Sequence, residues 1–70
     1  MKEYIDFLFT DEETGEDFFV KLSYNPETQP NAIKDLYPKA KEIAKENFEQ
    51  PKFLGVYSKE DADILGLDTY

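Results

Sequence analysis

Cysteine, histidine, arginine and tryptophan are all missing from these 70 residues. Without cysteine there is no disulfide framework and no thiolate. Without histidine there is no imidazole ligand for a metal, and the usual base for activating a serine or threonine hydroxyl is missing. Without arginine there is no planar fork to grip guanine or phosphate in a bidentate way. Glycine is scarce too. The three glycines stand alone at positions 15, 55 and 66, so no glycine-rich phosphate loop is present.

Long apolar runs are equally absent. No stretch approaches the ~20 residues that cross a bilayer as a helix. The opening residues, MKEYIDFLF, lack the extended apolar region of a secretory signal. A cytoplasmic protein is therefore expected, with no membrane contact and no cofactor.

What is present in excess is acid. Sixteen Asp and Glu face eight Lys, a net charge of −8. Such a field repels phosphate backbones and anionic lipid, so direct nucleic-acid binding is not expected. The acids are also uneven: residues 1–17 hold seven acids and one Lys, whereas residues 31–52 hold four acids and five Lys. Six Phe and five Tyr supply the apolar mass. Each ring can bury about 150–250 Å². One small domain is expected, with a stability of about 3–10 kcal/mol.

The stretch Asn31 to Glu49 carries the one sustained helical rhythm. At about 100° per residue, Leu36, Ala40, Ile43, Ala44, Ile33 and Tyr37 share an arc with Asn47 and Phe48. Lys34, Lys41 and Lys45 flank that arc, with Asp35, Glu42, Glu46 and Glu49 beyond, which reads as a solvated face. Pro38 falls on the polar side, where its lost N–H disturbs only a water-facing carbonyl. Either a kinked helix from Asn31 or a short turn with a restart near Pro38 is expected. Asn47, near the helix end, is expected to cap a carbonyl or reach a loop.

Strand-like alternation lies on both sides. Glu3 to Thr10 places Ile5, Phe7 and Phe9 on one face and Tyr4, Asp6 and Leu8 on the other. Gly15 turns the acidic loop that follows into a hairpin, and Asp17 to Tyr24 returns with Phe18, Val20, Leu22 and Tyr24 on one face. Lys52 to Tyr57 reads as a third strand, with Phe53, Gly55 and Tyr57 opposite Leu54 and Val56. Ser58 caps a short helix, Lys59 to Leu65, which stops at Gly66. Leu67 to Tyr70 is a tail that docks or frays.

The expected fold class is α+β, in the order β-β-α-β-α. A hairpin is antiparallel, and a crossover through a helix returns the chain parallel to the strand it left. A three-stranded sheet in the order 2-1-3 satisfies both rules, with the main helix packed on one face.

Two features are candidates for function. The first is the acidic patch Asp11, Glu12, Glu13, Glu16 and Asp17. Its spacing does not follow a calcium loop, so no metal site is expected, and a solvated hairpin tip is the plain reading. The second is the sheet face away from the main helix, where Tyr4, Leu8, Phe19, Lys21 and Tyr57 mix rings with charge. Either the short terminal helix buries these residues or they meet a protein partner or a second copy of the chain. No catalytic residue is expected. The leading functional expectation is a small acidic, non-enzymatic protein–protein interaction module: an adaptor, a regulator or a homo-oligomer subunit. The rival is an inhibitor that imitates nucleic acid and occupies a basic groove.

Overall fold

Alternating side chains set the first two strands. In the computed structural model, which describes residues 3–70, β1 (Glu3–Asp11) pairs antiparallel with β2 (Asp17–Tyr24) in unbroken register from Glu3↔Tyr24 to Thr10↔Asp17. Directly opposed residues share a face. Ile5 therefore sits with Leu22, Phe7 with Val20 and Phe9 with Phe18, all buried. Gly15 closes the hairpin at φ 76°. That left-handed conformation is one glycine adopts without a Cβ clash.

A turn held by Asn25 leads into α1 (Ala32–Asn47). The helix runs as one element through Pro38, which is exposed as its place among the charged residues implied. Ala32, Ala40 and Ala44 are buried, and these small side chains let α1 lie close on the phenylalanine layer. Leu36, Tyr37, Ile43 and Phe48 close its flanks. Phe48 stacks on Phe18 with ring centroids 3.9 Å apart. Ile33 departs from the expected arc and is half exposed, because Ala32 takes the inward position at the first turn. Asn47 donates its side-chain amide to the Ile43 carbonyl at 2.9 Å, the capping role anticipated for it.

β3 (Pro51–Tyr57) pairs antiparallel with β1, on the side away from β2. One detail of its reading is corrected. The register steps from Phe9↔Phe53 to Leu8↔Gly55, which leaves Leu54 as a bulge residue. The bulge flips the alternation. Phe53 and Val56 share the α1 side with Phe9 and Phe7, while Gly55 and Tyr57 share the reverse side with Leu8 and Asp6.

α2 (Lys59–Leu65) starts at Ser58, whose hydroxyl accepts from the Asp61 N–H at 3.3 Å. It ends at Gly66 in the left-handed region, φ 62°. The tail docks, and this changes the sheet. It has four strands, not three, because β4 (Asp68–Thr69) lies parallel to β2 in the order β3-β1-β2-β4. The 2-1-3 core of the expectation left the outer edge of β2 unpaired. The Tyr70 N–H fills part of that edge by donating to the Phe19 carbonyl at 2.8 Å, and the Lys21 N–H donates to the Tyr70 carbonyl at 2.9 Å. The Tyr70 ring meets Phe18 and Phe48 edge-on.

Candidate functional site

The reverse face is built from the pairs Tyr4–Ser23, Asp6–Lys21 and Leu8–Phe19. α2 crosses it and seals its centre. Ala62 packs on Leu8 and Phe19, with Leu67 beside them, and Phe19 is left only 1% exposed and Leu8 7%. With Ala62 these two residues form a second small core. Of the five residues grouped on this face in the sequence, Tyr4, Lys21 and Tyr57 remain at or near the surface. The Lys21 ammonium lies 5.1 Å from the Tyr4 ring centre, and Tyr57 meets Phe19 edge-on at 5.7 Å.

Asp6 sits in the middle of this set, in register with Lys21 on one side and Tyr57 on the other. It is only 3% exposed. Burial pushes its carboxyl above the ordinary carboxylate range; Lys21 pulls it back down, and Asp63 of α2 adds to the rise.

The acidic patch does not form one surface. Asp11 is buried, and its carboxylate organises the hairpin by accepting from the Glu13 N–H at 3.1 Å and the Thr14 hydroxyl at 3.2 Å. Glu12, Glu13, Glu16 and Asp17 are exposed around it. Among the described residues, no group of three potential ligands is placed to hold a metal ion.

Two features escaped the sequence reading. The first is the edge formed by β3, where Leu54 is half exposed and Phe53, Val56 and Tyr57 are each more than a third exposed. Among the described residues β3 is an edge strand, so its side chains have a strand neighbour on one side only. Ile64 and Leu65 on α2 are exposed as well. A seven-residue helix that sets only Ala62 inward leaves them no core to join, and that much was open to inference from the length of the segment.

The second feature is a groove of about 950 Å³ at one end of the sheet. It follows from unequal strand lengths. The β1–β2 ladder continues to Glu3↔Tyr24, but the β1–β3 ladder stops at Asp6↔Tyr57, where Ser58 turns the chain into α2. Among the described residues, Glu3, Tyr4 and Ile5 thus line a lane with no neighbouring strand on the β3 side. The first turn of α1 forms one wall, with Ile33 and Lys34, and Val56 to Lys59 form the other. The Tyr24 hydroxyl donates to the Glu3 carboxylate across the floor at 3.2 Å. Asn31, at the start of α1, makes no side-chain cap.

No family model, curated protein or solved structure matches the chain.

Proposed function

We propose that this chain is a small acidic protein-interaction module with no catalytic role, engaging a protein through the β3 side of its sheet. One observation carries the reading. β3 is an edge strand of seven residues whose large apolar side chains, Phe53, Leu54, Val56 and Tyr57, are all substantially exposed. An edge of this kind presents unpaired N–H and C=O groups together with apolar area, the combination that recruits another strand or surface. The opposite edge differs: β2 is blunted by a two-residue strand and by Tyr70. β3 has partial protection from Pro51 and Lys52 at its start and from the bulge at Leu54 in its middle, which disfavour indiscriminate pairing. The composition supports the same reading, since a chain without histidine or cysteine has few routes to catalysis.

The imitation of nucleic acid is not carried forward, because no observation favours it. Two of the acids it would display, Asp6 and Asp11, lie inside.

The test is affinity capture from the native cell with the parent and Leu54→Asp in parallel. Leu54 is half exposed, so the substitution leaves the core intact. A partner held by the parent and lost by the variant supports the reading. Equal recovery by both, or recovery by neither with a monomeric parent in light scattering, removes it.

A further inference from the structure

We propose that the groove beside Glu3, Tyr4 and Ile5 receives an extended peptide segment of another protein, apolar at its centre and acidic at its flanks. The inference rests on the interaction reading above and names the class of partner for the end of the same edge.

Three observations lead there. The backbone comes first. In an antiparallel ladder, successive residues aim their N–H and C=O groups alternately at one neighbour and the other. Within Glu3–Ile5, at least one residue therefore directs both groups into the lane where β3 no longer runs. Extended chain is the form that satisfies such a pair, as in strand addition, where main-chain bonds supply affinity and neighbouring pockets select side chains.

The walls come second. Ile5, Ile33 and Val56 line the groove with the rings of Tyr4, Tyr24 and Tyr57, so that apolar side chains alternating from the added strand find contact on either side. A volume of about 950 Å³ accommodates several side chains rather than one.

Charge comes third, and it selects between occupants. The chain carries −8 overall, yet among the described residues this groove is lined by Lys34 and Lys59 against the single acid Glu3. The carboxylate of Glu3 accepts a hydrogen bond from Tyr24 and keeps its charge, so two lysines against one acid leave the lining at about +1. A positive groove on a negative body favours an incoming acid. A second copy of this chain is the poorer fit. Its own exposed strand, β3, carries Lys52 and no acid within Pro51–Tyr57, which would bring lysine toward lysine and one body of −8 against another.

The test is titration of the ¹⁵N-labelled chain with two blocked peptides: acetyl-Glu-Val-Ile-Val-Glu-amide and its counterpart with lysine at both ends. The acidic peptide is expected to shift the amides of Glu3, Tyr4, Ile5, Ile33 and Ser58 and to bind with low affinity. The lysine peptide is expected to bind at least several-fold more weakly. Lys34→Glu combined with Lys59→Glu should weaken the acidic peptide roughly ten-fold and lessen its salt dependence. Ile33→Asp, at a half-exposed position, should abolish the shifts while the remaining spectrum reports an intact fold.

Equal binding of both peptides, or no shifts at low-millimolar acidic peptide, overturns the proposal. So do shifts confined to the outer edge of Pro51–Tyr57, which would leave the interaction reading standing while this one falls. A parent dimer in light scattering that Ile33→Asp dissociates would give the groove to a second copy and overturn it likewise. The Leu54→Asp capture tests the broader reading separately.

Discussion

Replacing Phe19 by Ala separates a sealed reverse face from an open one. Phe19 is 1% exposed and lies beneath Ala62 of α2, with the Tyr57 ring edge-on at 5.7 Å. A phenylalanine side chain buries about 150–250 Å², worth about 4–6 kcal/mol at 25 cal/mol per Å² as an upper figure. Measured Phe→Ala costs in cores are about 3–5 kcal/mol. The cover here is a single short helix that can settle into part of the space, so a loss of about 3 kcal/mol is expected. At a slope near 1 kcal/mol per M of urea, that loss moves the midpoint down by about 3 M. Far-UV circular dichroism reads it directly. Tyr4→Ala is the control on the same face. Tyr4 is 48% exposed, and its contact with the Lys21 ammonium is worth about 0.5–1 kcal/mol. If the two substitutions shift the midpoint equally, α2 does not cover the sheet and the account of this face is wrong.

Tyr70→Ala removes two edge-on ring contacts and about half a buried ring, so a loss of about 2 kcal/mol is expected. It would appear as a fall of about 8–16 °C in a thermal melt, and an unchanged melt would mean the tail does not dock. Pro38→Ala restores the N–H that can meet the Lys34 carbonyl and relieves the cost of an interior proline. Set against the flexibility it adds to the unfolded chain, a gain of about 1–2 kcal/mol is expected. A lower melting temperature would instead show that Pro38 sets a bend on which α1 depends. Asp6→Asn tests the buried carboxyl. Burial raises its folded pKa above the unfolded value, so the parent loses stability as pH climbs from the ordinary carboxylate range through the raised one. Urea midpoints across pH should show the variant ahead at neutral pH and the gap closing in acid. A variant that is weaker at neutral pH would mean that attraction to Lys21 outweighs burial.

Much of the architecture was readable because it follows from local patterns. Period-two alternation located the hairpin and its inward face, and Ser58 and Gly66 marked both ends of α2 before any packing was known. β4 was not readable, since a two-residue strand has no period and exists only because the edge of β2 is at hand. The facing of β3 was misread for a related reason. Leu54 looks like any other strand residue, and only the mismatch with β1 makes it a bulge. The candidate surface divides along the same line. Tyr4, Lys21 and Tyr57 remained accessible, whereas Leu8 and Phe19 went under α2, whose path depends on where the chain travels after Tyr57. Asp11 counted as surface acid by composition, but its place at the end of β1 made it the acceptor that shapes the turn. The groove has no motif at all, because it is a difference between the lengths of two ladders.

The sheet divides the apolar interior into two unequal compartments. The one under α1 joins nine buried residues, whereas the one under α2 joins three. Local opening follows the weaker contact set. The α2 segment is therefore a strap that can peel away at a fraction of the global unfolding energy, uncovering Leu8 and Phe19, while Tyr70 keeps its edge-on contacts with Phe18 and Phe48. Amide exchange in α2 would run ahead of that in β1 and α1, and proteolysis would begin near Gly66. Any binding event that leans on Ser58 or Lys59 would also slow that peeling, coupling occupancy at one end of the sheet to the integrity of its far side.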